Sequence, residues 1–399
     1  MTFDFDTLLD RAGSGSKKWG RYPDVVLPMW VADMDFAVAP VIQQALQQRI
    51  AHPAFGYCLA TDALRHTLVD YLWHAYAWRI EPQDLVFLPG IEPGVSMALR
   101  SLIEQGAGVV VQTPNYSPLR NAASHWQLPS IELPFQADAQ GHCYTDVPAL
   151  HEALASAGAL LLSNPHNPLG KSFSASELTD IGHACVEHNA LIISDEIHAD
   201  LQFDGLRHVP IASLDLQFAH RTVTLMSASK AYNIAGLKTA FAVIQNPQLR
   251  ERFDNARAGM VDSVNALGLE ATRAAYADAK PWLTELLAYL QGNRDYLLEA
   301  VRTRLPGITL HAPQSTYLAW LDCSALGLED PQRFFLDKAK VALSAGTEFG
   351  AAYQQFVRLN FGCSRWVMSS WCACACGPPT VIRCNKWPLL IGLRLAPLS

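Results

Sequence analysis

The chain has 399 residues, 50% of them hydrophobic and 17% charged, with a formal net charge of −7. That length predicts two or three structural units of ~100–200 residues each, with a core extensive enough to enclose a small molecule. An acidic balance with no Lys/Arg cluster along one face argues against nucleic acid, and no apolar run approaches the ~20 residues of a membrane span.

Met1–Asp10 carries acidic residues and no basic-then-apolar leader, so the expected compartment is the cytoplasm. Among the nine cysteines, Cys58, Cys143, Cys185 and Cys323 stand alone, Cys372, Cys374 and Cys376 alternate, and Cys384 follows. None of this is the paired spacing of a structural zinc site, so no metal is expected, and the isolated cysteines read as small core residues.

In chain order, Pro40–His52 reads as an amphipathic helix behind an N-terminal arm. Leu85–Leu88 is a short apolar run ending in Pro89-Gly90, before a helix predicted over Glu92–Glu104 with Pro93 in its first turn. Similar runs follow: Gly108–Val111 into Gln112–Tyr116, Ala159–Leu162 into Ser163–Pro165, and Leu191–Ile193 into Ser194–Glu196. Thr222–Met226 leads into Ser227-Ala228-Ser229-Lys230, and Thr239–Ile244 comes next. Pro281–Leu305 reads as a long helix with Trp282, Leu286, Leu290 and Tyr296 as its buried stripe, and Thr316–Leu321 as a strand. The chain then divides into an arm with part of a small domain (1–45), a large α/β domain (46–280), a C-terminal small α+β domain (281–363) and an atypical tail (364–399). Unalternated apolar strands between helical stretches predict a mostly parallel sheet with helices on both faces.

Ligands in such sheets lie beyond the carboxyl ends of the strands. Those ends carry Gly90, Ile91, Glu92, Tyr116, Asn167, Asp195, His198 and Lys230. A strand-end lysine between small hydroxyl residues can form a Schiff base with an aldehyde cofactor, while Ser227 and Ser229 hold a phosphate. A solvated loop lysine would have the same local sequence. Asp195 equally suits a helix N-cap, Asn167 a turn, Tyr116 a core position and His198 a structural role.

The motifs Ser163–Gly170 (SNPHNPLG), Ser194–Leu201 (SDEIHADL) and Ser227–Lys238 (SASKAYNIAGLK) resemble fold-type I pyridoxal 5'-phosphate (PLP) enzymes of the aminotransferase superfamily. More narrowly, Val31–Phe36 (VADMDF), Phe55–Tyr57 (FGY), Pro313–Asp322 (PQSTYLAWLD) and Val357–Cys363 (VRLNFGC) resemble the MalY/PatB-type cystathionine β-lyases, or C–S lyases. The likeness covers about residues 1–363.

The resemblance implies a PLP-dependent α,β-elimination of L-cystathionine or related cysteine S-conjugates to a thiol, pyruvate and ammonia. It implies that Lys230 carries the cofactor and removes the Cα proton, Asp195 pairs with the ring nitrogen, Tyr116 stacks on the ring, and Asn167, with His198 nearby, serves its phenolic oxygen. The phosphate would fall to the backbone of Gly90, Ile91 and Glu92, to Ser227 and Ser229, and to Lys238, which stands where many relatives have arginine. At a helix start the open N–H groups and the dipole suit a dianion, so the Glu92 carboxylate itself has to point away. Tyr57 would reach a neighbouring subunit's phosphate in a homodimer. Arg358 would clamp the substrate α-carboxylate, the alternative being a surface salt bridge, and Asp33 would lie on the substrate side.

Ser364–Ser399 departs from the family: it has no Asp or Glu but three tryptophans, four cysteines and four prolines. That composition is not expected to form the family's charged terminal helix; a frameshift near codon 363 would explain it, and the gene's other frames test this. Two rivals remain, the first sharing Lys230, Asp195 and Asn167 with the lyase and the second motivated by the tail. One is a PLP-dependent aminotransferase; the other is a catalytically impaired PLP-fold protein that binds or regulates.

Overall fold

The computed structural model describes residues 3–375 apart from 12 and 262. They fall into two compact units. The larger holds Val38–Ala288 and Gln314–Thr316; the other comprises the N-terminal segment up to Ala37, Tyr289–Pro313 and the chain from Tyr317 on. The divisions thus fall eight residues later than the 45/46 and 280/281 pattern at the second boundary and eight earlier at the first. Helix α1 (Pro40–Ala51) accounts for the first shift, because it packs within the larger unit.

The larger unit is built on strands β1 (Leu85–Leu88), β2 (Gly108–Thr113), β3 (Ser130–Pro134), β4 (Ala157–Ser163), β5 (Leu191–Asp195), β6 (Thr222–Met226) and β7 (Ala240–Val243). Their order is β1-β7-β6-β5-β4-β2-β3, with β7 antiparallel to both neighbours and every other pair parallel. Successive residues supply opposite faces. Val109, Val111, Leu161 and Ile193 join one buried cluster, while Val110, Leu160, Leu162 and Ile192 join the other. Helix α2 (Ile91–Leu102) covers the first face; α3 (Val147–Leu154) and α4 (Ala175–Glu187) cover the second. Each such Val, Leu or Ile contributes roughly 1.5–3 kcal/mol by leaving water, which explains the lack of polar alternation. The α/β expectation is met. The strand Ser130–Pro134 was not anticipated: it lies at the sheet edge, where only Leu133 is buried, so its sequence lacks an apolar run.

Helix α5 (Ala266–Asp278) precedes α6 (Lys280–Arg304). On α6 the fully buried stripe is Trp282, Leu286, Leu290, Asn293 and Leu297. Tyr296, expected there, is only half-buried and lies against Arg304 and Arg365. The reason is helical periodicity: seven residues past Leu290 returns to the same face, six does not.

The other unit carries a four-stranded antiparallel sheet, β8 (Thr309–Leu310), β9 (Leu318–Asp322), β10 (Ser344–Ala345) and β11 (Phe356–Asn360), ordered β8-β9-β11-β10. The structure describes the first part of the atypical tail. Arg365–Ala375 forms a helix, α7, because Val367, Met368, Trp371 and Cys372 share one buried face and need no charged partner. The Arg365 N–H donates to the Tyr289 hydroxyl (2.7 Å) and its Nε to Asn293 Oδ1 (2.8 Å), fixing the start of α7. The remainder of the expected aberrant tail, 376–399, lies outside the described residues.

Candidate active site

Parallel pairing brings three of the sequence motifs together at one end of the sheet. Ser163 is level with Asp195, and Asp195 with Leu225. Beyond the strands, the Asn164 N–H donates to the Asp195 carbonyl and the Glu196 N–H to the Leu225 carbonyl, both at 2.9 Å. The SNPHN, SDEIH and SASK segments therefore leave the sheet side by side. Close packing of α2 on β6 supports this end, since a Cβ on Gly94 would meet Leu225 Cδ2 at 2.7 Å.

Asp195 is 8% exposed, and its Oδ1 accepts the Ile197 N–H at 3.1 Å. Burial pushes its carboxyl up to about 7; the Ile197 N–H and the positive charge of Lys230 pull it back, while Glu196 and Glu92 add to the rise. Lys230 thus lies within electrostatic reach of Asp195, as the strand-end reading requires. Asn167 and His198 are also buried beside these segments, at 7% and 3% exposure.

Tyr116 donates its hydroxyl to Glu92 Oε1 at 2.9 Å. The Glu92 side chain is therefore engaged, and what the start of α2 offers an anion is the backbone of Gly90, Ile91 and Glu92. The Ser227 hydroxyl gives its proton to the Thr239 carbonyl (2.6 Å) and lies 2.6 Å from Ser229 Oγ. With the Ser227 proton so committed, Ser229 is the hydroxyl able to donate, either to Ser227 or to an incoming anion. Lys238 follows a one-turn helix, adopts φ +51° and is exposed.

The profile of the family described as "Aminotransferase class I and II" matches residues 26–372. The chain belongs to that family. The family match runs past 363, the expected limit of likeness, into α7. "Cystathionine beta-lyase PatB" of Bacillus subtilis is 36% identical over 90% of the chain and 96% of its own length. Among solved structures, OvoB superimposes with a TM-score of 0.89 at 39% identity, over 93% of this chain and 97% of that one. Cystalysin from Treponema denticola, whose crystal structure contains a pyridoxal 5'-phosphate cofactor, gives a TM-score of 0.90 at 28% identity over 93% and 97%. These relatives place the chain in the MalY/PatB-type branch and its fold among the fold-type I enzymes.

In this aminotransferase-family chain the smaller unit carries the other expected residues. Arg358, in the middle of β11, is 5% exposed, which sets aside the surface salt bridge. Its Nη2 donates to the Trp30 carbonyl (2.7 Å) and to Ser344 Oγ (3.3 Å), and its guanidinium lies 4.9 Å from the centre of the Phe349 ring. Both of these acceptors are neutral, and the ring face favours a cation beside it. Asn360, two residues on, donates to the Val31 and Asp33 carbonyls, and Tyr317 to that of Ala32. Together they fix the backbone of VADMDF. The Asp33 carboxylate faces Arg11 (3.6 Å) and Lys18 (3.8 Å), and Asp35 meets the same two cations at 3.3 and 2.8 Å. Lys18 is 1% exposed, so this cluster ties the N-terminal arm down.

Sequence reading missed a layer behind Asp195. Glu196, 1% exposed, accepts from Ser194 Oγ (2.9 Å) and pairs with His208 Nε2 (2.6 Å). Asp200 accepts the hydroxyls of Tyr71 and Tyr76, and burial raises its carboxyl. The signal was three acids within the short segment SDEIHADL, but His208 lies outside it and Tyr71 and Tyr76 more than a hundred residues away.

Proposed function

We propose that this chain is a PLP-dependent C–S lyase that performs α,β-elimination on L-cystathionine or related cysteine S-conjugates. The products are a thiol, pyruvate and ammonia. The observation that carries the reading is the buried Asp195 carboxyl within electrostatic reach of Lys230 at the joined ends of β5 and β6.

The residues present fit the cofactor. A buried carboxylate matches a pyridinium nitrogen, an amine within its field matches an aldehyde carbon, and a helix start with Ser229 matches a phosphate. When bound, PLP supplies an electron sink for a carbanion at the substrate Cα. Asp195 would hold the proton at the ring nitrogen, Asn167 would donate to the phenolic oxygen, and Tyr116 would cover a ring face. Lys230 Nζ takes the proton from the substrate Cα and returns one to the departing sulfur. The Cα–H and Cβ–S bonds break, and the released aminoacrylate takes up water to become pyruvate and ammonia. Arg358 binds the α-carboxylate through two parallel N–H donors, which fixes the direction of the Cα–H bond.

The active unit is a homodimer. Large apolar side chains stand exposed along one stretch: Ile50 (55%), Phe55 (58%), Tyr57 (98%) and Leu59 (88%). A contiguous stretch of this kind supports an interface, and Tyr57 is the residue we assign to the neighbouring subunit's phosphate.

Purified protein with cystathionine or an S-alkylcysteine is expected to release pyruvate with no 2-oxo acid present, and Lys230→Ala to abolish release. A requirement for a 2-oxo acid would make the chain an aminotransferase. Bound PLP with no turnover on either kind of substrate would make it an impaired member of the fold.

A further inference from the structure

On the face of the larger unit formed by α3 and α4, His151, Glu187 and His188 converge. His151 lies on α3, Glu187 is the last residue of α4, and His188 is its C-terminal cap. His151 Nδ1 is 3.1 Å from His188 Nε2 and 3.8 Å from Glu187 Oε2, and all three ligand atoms lie within 4.8 Å of one another. We propose that this trio is a binding site for a divalent first-row transition ion, with Zn²⁺ as its best match.

The chemistry of the donors is the first argument. Two imidazoles and one carboxylate form a ligand set that zinc takes readily, leaving a fourth position for water. Distance is the second. Ligands ~2.0–2.1 Å from a tetrahedral ion lie roughly 3.3 Å apart, between the two spacings found here, so small side-chain rotations close the set. The third is rigidity. Leu150 and Leu154 of α3 pack in one buried cluster with Leu178, Ile181 and Ala184 of α4. A Ser174–Glu177 capping box fixes the start of α4. Ligands carried on packed helices hold their spacing better than ligands on loops. The imidazoles are half-buried and Glu187 is exposed, so an ion can enter from solvent. None of the three residues belongs to the proposed PLP site, and an ion held here would staple the end of α4 to α3. The competing explanation is a single hydrogen bond shared between two imidazoles.

The test is Zn²⁺ titration of tag-less, PLP-loaded protein, followed by calorimetry and thermal melting, beside His151→Ala and His188→Ala. The expected result is saturable binding of a single ion per chain and a Zn²⁺-dependent rise in Tm, both lost in each variant. Retained elimination activity and an unchanged circular dichroism spectrum would show that the variants still fold. Co²⁺ gives a second readout: tetrahedral d–d absorption without a thiolate charge-transfer band is expected. Undiminished binding in the variants, no saturable binding by the parent, or a thiolate band assigning the ion to cysteines would each overturn the proposal.

Discussion

Asp195 concentrates the electrostatics of the site in one carboxyl. Folded, it titrates near 7; its ordinary value is 3.8. Between those values the folded chain holds a proton that the unfolded chain has lost, so stability falls as pH rises toward 7 and the full penalty stands above it. Asp195→Asn removes the charge and keeps an oxygen for the Ile197 N–H. The cofactor-less variant should therefore be the more stable chain at pH 8, by roughly 2–4 kcal/mol, with the gap shrinking toward pH 5. Urea midpoints at the two pH values measure this, and a gap that ignored pH would remove burial as the cause. The same variant should retain PLP poorly, because a neutral amide cannot hold the ring nitrogen protonated. At Arg358 the quantity at stake is geometry. Arg358→Lys keeps the charge but loses the paired donors, and KM for the amino-acid substrate should rise about 10–100-fold with a smaller change in kcat. Steady-state kinetics reads the split; a loss confined to kcat would place Arg358 away from the carboxylate.

Elements position these residues through close contacts that tolerate little added volume. Helix α5 touches the segment after Lys230 at Gly268, where a Cβ would meet the Leu237 carbonyl at 2.6 Å and Thr239 Cβ at 3.0 Å. Gly268→Ala should destabilise the chain by about 1–3 kcal/mol, since backbone on the far side cannot swing away. Gly236→Ala, with nothing within 4 Å of its new Cβ, should leave the urea midpoint nearly unchanged. Equal effects from the two would mean that the contact at Gly268 is slack. Such contacts explain what could be read in the sequence. The central strands were legible because burial on both faces writes itself as an apolar run, and their polar ends marked the candidate site. Edge strand β3 was not, because one partner strand and a wet face leave no such run. Helix α7 was hidden by composition: a missing acidic face says nothing about Val367, Met368, Trp371 and Cys372 meeting a core. The Glu196–His208 and Asp200–tyrosine pairs were invisible because their partners meet only once the chain has folded.

The whole molecule raises the question of whose site Tyr57 serves. At 98% exposure it has almost no packing role in its own chain, so Tyr57→Phe should barely shift the melting temperature of the isolated protomer. If it completes the neighbour's phosphate site, the variant should bind PLP more weakly as a dimer. A mixing experiment separates neighbour from self. Consider dimers assembled from equal amounts of Tyr57→Phe chains and Lys230→Ala chains, assayed at a PLP concentration that loads the parent site but is too low to load the Tyr57→Phe homodimer. When Tyr57 serves the neighbour, each mixed dimer has one site with Lys230 from the first chain and Tyr57 from the second, both intact; its other site carries both lesions. Half the dimers are mixed and half their sites are whole, so activity should return to about a quarter of the parent's. When Tyr57 serves its own chain, every site in every dimer keeps one lesion and no activity returns. Co-expression with two purification tags isolates the mixed species, where the expected recovery is about half. Dilution of that species should then lose activity as the subunits part, because the restored site exists only across the pair.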